Sequence, residues 1–254
     1  MRERTLSVLE YHKIKEKLAE KSASTPGREL AQRLLPSTDI EEVKKMQDET
    51  QEAVSILIER GTPPLAGIYD IKSEVGLAQK GGSLSARAIL RVGETLRAAR
   101  NVKNFLFKEE FEEDQIPNIR SKVSGLQIYR DLERDILDAI IGEEELSDSA
   151  SSELRRIRRQ IKSKNDGIKA KLNSTINSSE NRKYLQDAII TIREGRYVVP
   201  VKQEYRSEFK GIVHDQSSTG ATLFIEPMEV VNLNNELKEL KLSEKKEIER
   251  ILVQ

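Results

Sequence analysis

The sequence predicts a mainly α-helical fold with a small β insertion. We expect a helical bundle followed by a long antiparallel coiled coil that carries a four-stranded antiparallel sheet at its tip. Three observations predict this class. Apolar residues recur at three- and four-residue spacings through most of the chain, and two stretches narrow to a coiled-coil stripe. By contrast, Asp187–Pro227 holds short runs of β-branched and aromatic residues separated by turn-forming residues.

Composition excludes several classes of protein. The 254 residues include no cysteine, which rules out a disulfide framework, thiol catalysis and a cysteine-type zinc site. No apolar run approaches the ~18 residues of a spanning helix and the N-terminus lacks a signal-peptide pattern, so we predict a cytoplasmic protein without a membrane partner. Because 43 basic residues balance 43 acidic ones, any binding to a polyanion must come from a local patch.

The N-terminal half contains residues that start and end the helices of a bundle. Leu6–Leu18 predicts a first amphipathic helix, and Pro26 lies at a first-turn position of a second. Thr38 has capping-box spacing to an acidic residue and begins a third helix, which Gly61 ends. Further helices follow to residue 125, so we predict an all-α bundle.

Two later stretches predict the coiled coil. From Ala150 to Ile176 apolar residues repeat near a period of 3.5, with Lys164 as the one polar interruption, and Val230–Ile251 repeats in the same way. A narrow apolar stripe on an otherwise charged helix indicates a coiled-coil seam. The two stretches have similar lengths and flank the β-rich segment, which favours an antiparallel pair.

The β-rich segment predicts four strands, at Ala188–Ile192, Tyr197–Val201, Gly211–His214 and Ala221–Ile225. Gly195 supplies the positive φ of a four-residue hairpin loop, and the Ser217–Gly220 cluster predicts a second turn whose hydroxyls bond its own backbone. Because Pro200 cannot donate to a ladder, the second strand is predicted at an edge or on a bulge.

Basic residues of this segment form the candidate site. The segment from Arg182 to Gln216 contains seven basic and five acidic residues. This small excess of positive charge by itself favours an ordinary solvated surface. The competing hypothesis is a surface that contacts phosphates without reading bases. Its candidate nucleic-acid-binding residues are Arg193, Arg196, Lys202, Arg206 and Lys210.

Other polar constellations predict no chemistry. His214 beside Asp215 lacks the further ligands of a metal site and an identifiable nucleophile, so we expect a hydrogen-bonded or surface histidine and no catalytic residue or metal site. The basic run Arg155–Lys164 is predicted to be a solvated coiled-coil face. The acidic run 109–114 is predicted to be a solvated loop.

Four segments carry a resemblance to a known family. They are LSVLEYHKIKEKL at Leu6–Leu18, DLERDI at Asp131–Ile136, TIREGRYVVPVKQEYRSEFKGIVHDQSSTGATLFIEP at Thr191–Pro227, and EKKEIERIL at Glu244–Leu252. The chain resembles the clamp-and-lever region of MutS-type ATPases, and within them the second-type bacterial branch that lacks the mismatch-reading domain. The resemblance implies four segments: a helical core bundle at 1–125, outgoing lever helices at 126–182, a β clamp at 183–228, and a returning lever helix at 229–254 that is cut short.

The resemblance also implies a function. Family members of this branch are cytosolic homodimeric ATPases that bind branched DNA and suppress recombination, and in some bacteria they engage collided ribosomes and split them. By this resemblance, ATP, Mg²⁺ and a C-terminal Smr endonuclease domain are expected in the full-length protein. This chain has no G-x-x-x-x-G-K-S/T sequence, so we predict that it holds no cofactor and is not catalytic by itself.

The sequence leaves three function classes open. The resemblance favours phosphate contacts by the five basic residues, to branched or duplex DNA or to ribosomes, which present the same chemistry. The alternative is a structural coiled-coil arm whose β tip docks onto a protein. A stand-alone hydrolase has no nucleophile, acid pair or phosphate loop to support it.

Overall fold

The computed structural model describes residues 3–107 and 115–254; the acidic run 109–114, predicted to be a loop, lies outside them. Within these ranges, ten α-helices and one four-stranded antiparallel sheet confirm the mainly α class with a small β insertion. Apart from its last two residues, the chain divides into two compact units, 1–147 and 148–252. The division into four functional segments stays a prediction.

The described part of the first unit is helical. Its helices are α1 Glu3–Val8, α2 Tyr11–Glu20, α3 Thr25–Arg33, α4 Ile40–Arg60, α5 Lys72–Gln79, α6 Ala86–Leu106, α7 Pro117–Ser124 and α8 Arg130–Ala139. The predicted first helix is split, because Glu10 adopts a left-handed φ of 51° between α1 and α2. Asp39, not Thr38, caps α4: its carboxylate accepts from the backbone nitrogens of Glu41 and Glu42.

Long-range contacts hold this bundle together. The Glu52 carboxylate on α4 accepts from the backbone nitrogens of Asn118 and Ile119 at the N-terminal turn of α7, where unpaired N–H groups favour an anion. Between α6 and α8, Arg100 donates twice to Glu133, at 2.8 Å each. This bidentate pair holds the pKa of Glu133 below its usual value.

The second unit contains two long helices, α9 Ser152–Asn177 and α10 Val231–Val253. Side-chain contacts join them at Ser151 to Glu247, Arg158 to Glu244, Lys164 to Glu236, and Lys171 to the carbonyl of Glu229. From the first contact to the last, the residue number rises from 151 to 171 in the first segment and falls from 247 to 229 in the second. The two helices therefore run antiparallel.

The contact between α9 and α10 is not uniform along its length. Near the sheet it is apolar, and Ile168 and Leu172 pack with Leu237 in one buried cluster. Farther from the sheet ionic contacts also join the helices, and a cavity of about 420 Å³ opens between them beside Lys164 and Glu236. The predicted apolar seam is thus interrupted where the sequence carries Lys164.

The sheet has the strand order β1-β2-β4-β3. Its strands are β1 Thr191–Arg193, β2 Arg196–Lys202, β3 Gly211–Gln216 and β4 Thr222–Pro227, with 3₁₀ turns at Gln203–Tyr205 and Met228–Val230. All four predicted strands exist. The first is shorter than predicted, because residues 188–190 precede the ladder.

The two hairpin turns differ in how well they were predicted. The first loop has two residues rather than four: Arg193 pairs with Arg196, and Glu194 and Gly195 both have positive φ, 50° and 77°. This is the backbone of a type I′ turn, which matches the twist of the strands it joins. The second turn is confirmed, since the Ser217 hydroxyl accepts from the Thr222 nitrogen at 3.1 Å.

The edge position predicted for the second strand is wrong. Strand β2 lies between β1 and β4, with Pro200 opposite Phe224. The carbonyl of Pro200 accepts from the nitrogen of Gln186 at 2.9 Å, on the side away from β4. In a strand the nitrogen and carbonyl of one residue point the same way, so the missing N–H removes no bond to β4.

One face of the sheet packs on the helices. Val199, Val201 and Ile225 are fully buried and share a core cluster with Ile168 and Leu172 of α9. A sheet of this size exposes a large fraction of its surface and depends on a supporting neighbour. The paired helices supply that support.

Candidate nucleic-acid interface

A buried carboxylate organises the sheet around the candidate residues. The Glu226 side chain on β4 is fully buried. Arg196 on β2 donates to both of its oxygens, at 2.8 and 3.1 Å. His214 on β3 lies 2.6 Å from Oε2, and Asn234 on α10 donates to Oε1 at 2.7 Å. Three strands and one helix thus meet at a single carboxylate.

The chain geometry explains why His214 reaches this carboxylate. Val213 pairs with Ile225 and Asp215 pairs with Phe224, so His214 is the extra residue of a β-bulge. A bulge redirects a side chain that regular pleating would send elsewhere. Because a carboxylate oxygen accepts, Nε2 of His214 is the donor in this bond. The expected hydrogen-bonded histidine is confirmed.

Arg196 is placed inside this cluster rather than on an open surface. Its side chain is 20% exposed, and its second terminal nitrogen donates to Oδ1 of Asn235 at 2.5 Å. Its charge is therefore balanced within the protein. A role for Arg196 in binding nucleic acid stays a prediction.

The guanidinium of Arg193 also contacts other side chains of the sheet. Its guanidinium carbon lies 4.0 Å from the centroid of the Phe224 ring, and Nε is 3.0 Å from Oδ2 of Asp215. The side chain remains 37% exposed. A ligand phosphate would have to compete with Asp215 for this guanidinium.

Lys202, Arg206 and Lys210 are different, since no ion pair to any of them occurs within the described ranges. Arg206 donates to two backbone carbonyls, at 3.4 and 3.3 Å, which leaves its positive charge uncompensated. Lys202 lies opposite Thr222 at one end of β4, and Lys210 precedes Gly211, which lies opposite Pro227 at the other. Five strand steps separate those ends, about 17 Å. We call these three residues the open cations.

The structure adds neighbours that sequence reasoning missed. Residues 184–186 lie beside β2, and the Lys202 nitrogen donates to the carbonyl of Tyr184 at 2.9 Å. The Tyr184 and Tyr205 rings meet edge to face with centroids 5.4 Å apart. Lys183 Nζ lies 4.8 Å from the Tyr184 ring centroid, and Lys202 Nζ lies 5.9 Å from that of Tyr205. We call these four residues the tyrosine–lysine cluster.

A sequence signal for that cluster existed. Tyr184, Tyr205 and Phe209 are three of the 11 aromatic residues in the chain and lie among the basic residues from Arg182 to Gln216. The pairing of residues 184–186 with β2 was not visible, because these residues lie outside the alternating strand pattern. Only the register brings Tyr184 beside Lys202.

Residues 3–107 and 115–254 contain no group of three or more His, Cys, Asp or Glu residues arranged to hold a metal ion. No helix in these ranges has the length and apolarity needed to cross a membrane.

The basic run on α9 is partly paired, because Arg156 contacts Glu153 and Arg158 contacts Glu244.

Comparison with known proteins gives consistent matches. No protein-family model matches the chain. It is 52% identical over 252 residues to the Endonuclease MutS2 of Clostridioides difficile strain 630, covering 99% of this chain and 32% of that protein. It is 51% identical over 254 residues to the Endonuclease MutS2 of Alkaliphilus metalliredigens strain QYMF, covering 100% of this chain and 32% of that protein. It is 45% identical over 253 residues to the protein of that name from Acetivibrio thermocellus, covering 99% and 32%. The chain thus spans about a third of the length of these relatives.

Proposed function

Because this chain belongs to the second-type bacterial branch of the MutS family, the MutS2 proteins, we propose that it is the nucleic-acid- and ribosome-engaging arm of a MutS-type ATPase. In this proposal α9 and α10 form a coiled-coil lever, and the four-stranded sheet is the clamp at its tip. The antiparallel contacts from Ser151 to Glu247 and from Lys164 to Glu236 support the lever. The buried cluster shared by α9 and the sheet supports rigid coupling of the two.

The proposal assigns the chemistry to the longer protein. A homodimeric, cytoplasmic ATPase would bind branched DNA and suppress homologous recombination, and would split collided ribosomes in ribosome rescue. ATP, Mg²⁺ and the nuclease activity that the relatives' name denotes would belong to parts outside this arm. The absence of a G-x-x-x-x-G-K-S/T sequence from the chain supports a non-catalytic arm. Calorimetric titration of the 254-residue chain with MgATP should therefore give no saturable heat, and micromolar binding would contradict this assignment.

One observation carries the nucleic-acid part of the proposal: the charges of the open cations are not balanced within the described residues. Arg206 is exposed and bonds only carbonyl oxygens, and Lys210 is exposed. Long cations on a sheet contact phosphates along a backbone and carry no base information. We therefore expect binding that depends on salt and varies little with sequence.

The test is a salt titration of binding by the 254-residue chain to duplex DNA, a four-way junction and an rRNA fragment. The variant Lys202→Gln, Arg206→Gln, Lys210→Gln should weaken binding similarly across sequences. The slope of log K against log salt should flatten by roughly 0.9 for each duplex phosphate that the variant no longer neutralises. Competition between the junction and collided ribosomes would separate the two targets.

A matched control lies on α9. Arg155, Arg159 and Lys162 are three exposed cations with no ion pair among the described residues, and the same three changes to glutamine remove the same charge. This control should weaken binding much less. If it weakens binding as much as the first variant, or if the first variant binds like the parent, the sheet is not the contacting element.

A docking arm remains the second candidate, because β3 is an edge strand with exposed apolar residues. Ile212 is 42% and Val213 is 37% exposed. Such an edge offers unpaired backbone groups to a strand of another protein. If Ile212→Lys abolishes association with ribosomes while loss of the open cations leaves it unchanged, protein docking is the better account.

A further inference from the structure

The tyrosine–lysine cluster combines a pair of aromatic rings with two nearby ammonium groups. Two aromatic rings meet edge to face, and each has an ammonium group near its ring, at 4.8 Å for Lys183 and 5.9 Å for Lys202. Both tyrosines are half-buried, and neither phenol hydroxyl has a hydrogen-bond partner among the described residues. The rings are thus held at the surface although their hydroxyl groups make no hydrogen bond to the described residues.

The cluster is held in place by backbone bonds. The nitrogen of Lys202 donates to the carbonyl of Tyr184, and the nitrogen of Phe209 donates to the carbonyl of Tyr205 at 3.1 Å. Phe209, which is buried, also lies edge to face with Tyr184 at 6.4 Å. A ligand would therefore meet rings whose positions are already set, which reduces the entropy lost on binding.

The surrounding charges are mixed. Arg206 follows Tyr205 directly and has no ion pair within the described ranges. Glu204 and Glu208 are exposed on the same loop. A field of this kind attracts phosphates only moderately. Affinity at this place must therefore come in good part from the rings.

The ring chemistry selects a class of ligand. Bases within a duplex stack on each other and present only their edges, so an aromatic side chain stacks only on bases that are unpaired. We propose that the tyrosine–lysine cluster binds unpaired nucleotides, with bases stacking on Tyr205 and Tyr184 while Lys183 and Lys202 leave the rings for the flanking phosphates. The inference rests on the proposed function and names its ligand as the single-stranded part of a branched DNA or of an RNA.

Tyr205 is the better probe of the two rings. Tyr184 packs against the core cluster beneath the sheet, whereas Tyr205 does not belong to that cluster or its partly buried neighbours. Tyr205→Leu removes the aromatic ring, and Tyr205→Phe keeps it while removing the hydroxyl. The pair separates stacking from hydrogen bonding and from general loss of the fold.

The experiment measures fluorescence anisotropy of labelled oligo-dT and oligo-U of about 12 nucleotides, a length within the usual site sizes, and of a duplex of equal length. For the 254-residue chain, Tyr205→Leu should weaken binding of single strands about 10-fold and of the duplex less than about 2-fold, while Tyr205→Phe stays close to the parent. The two labelled oligonucleotides distinguish DNA from RNA. Since the chain has no tryptophan, quenching of tyrosine emission on binding gives a second readout.

A matched control lies in the first unit. Lys15 Nζ is 5.9 Å from the Tyr11 ring centroid, the same separation as in the Lys202–Tyr205 pair. Tyr11→Leu should leave single-strand binding unchanged. An equal loss in this control would mean that stacking at the cluster is not responsible.

The outcomes separate the inference from the function on which it rests. If Tyr205→Leu binds single strands like the parent while removal of the open cations still weakens duplex binding, the inference is wrong and the proposed function stands. If Tyr205→Leu weakens duplex and single-strand binding equally, stacking on unpaired bases is likewise excluded. If the chain binds no nucleic acid at any salt concentration, the proposed function fails first and the inference with it.

Discussion

Nε2 of His214 lies 2.6 Å from Oε2 of Glu226, a side chain with no exposure to solvent. The contact exists because a bulge in β3 leaves His214 without a pairing partner across the ladder. The same carboxylate accepts from Arg196 and Asn234, so it joins β2, β3, β4 and α10. Glu226 therefore couples the sheet to the helix that follows it.

The first prediction is that Glu226→Gln destabilises the second unit by about 2 to 3 kcal/mol. The amide nitrogen would face donors that now share two carboxylate oxygens, and a mostly buried guanidinium would lose its counter-charge. Urea unfolding followed by circular dichroism measures the change. Glu249→Gln, an exposed site on α10, is the matched control and should change stability by less than about 0.5 kcal/mol.

The second prediction concerns the partner of Glu226. In a double-mutant cycle, Glu226→Gln and Arg196→Met should show a coupling free energy of about 1 to 3 kcal/mol, because each change removes the same ion pair. Strict additivity would show that the pair contributes nothing. For the same reason Arg196→Glu is unsuited to a binding test, since it places a second carboxylate against a buried one.

The third prediction is that Leu237→Asp disrupts the apolar contact between the helices near the sheet. Leu237 is 1% exposed, and an unpaired carboxylate there should cost at least about 3 kcal/mol. Amide hydrogen exchange along α9 should accelerate. Leu242→Asp, at a site on the same helix that is 55% exposed, should leave exchange unchanged. Equal exchange in the two variants would contradict the antiparallel packing.

The fourth prediction compares two glycines. Gly195→Ala should destabilise the sheet by about 1 kcal/mol, because φ at this residue is 77°. Gly167→Ala on α9 should instead stabilise by up to about 1 kcal/mol, since an added methyl group meets no atom within 4 Å and alanine is the better helix former. Thermal melts of both variants check the opposite signs.

The fifth prediction is a pH dependence. Hydrogen bonds from Arg250 and Ser151 lower the pKa of Glu247 from 4.5 to about 2. A depressed carboxylate pKa stabilises the fold above the unfolded value, and that contribution is lost as pH falls from about 4.5 towards 2. Glu247→Gln should therefore cost stability at pH 6 and progressively less at pH 3. A cost that does not change between these pH values would contradict the shift.

Much of the fold was predictable because it depends on local chemistry. The positive φ of Gly195 and the Ser217 turn follow from the preferences of single residues and their neighbours. Apolar spacing predicted the two long helices. One error arose where a neighbour in sequence competed, since Asp39 rather than Thr38 capped α4.

The candidate site was less predictable, because charge balance is decided by residues far apart in the chain. Arg193, Arg196 and Lys202 look equivalent in sequence, yet Arg196 is neutralised by Glu226, thirty residues later, while no ion pair to Lys202 occurs within the described ranges. A one-residue bulge at His214 decides which side chains reach that carboxylate. The sequence by itself determined the class of fold, the positions of its turns and its helical periods, since these depend on residues a few positions apart. Only the tertiary structure decided which cations are paired with a carboxylate, because strand register and burial bring their partners from distant parts of the chain.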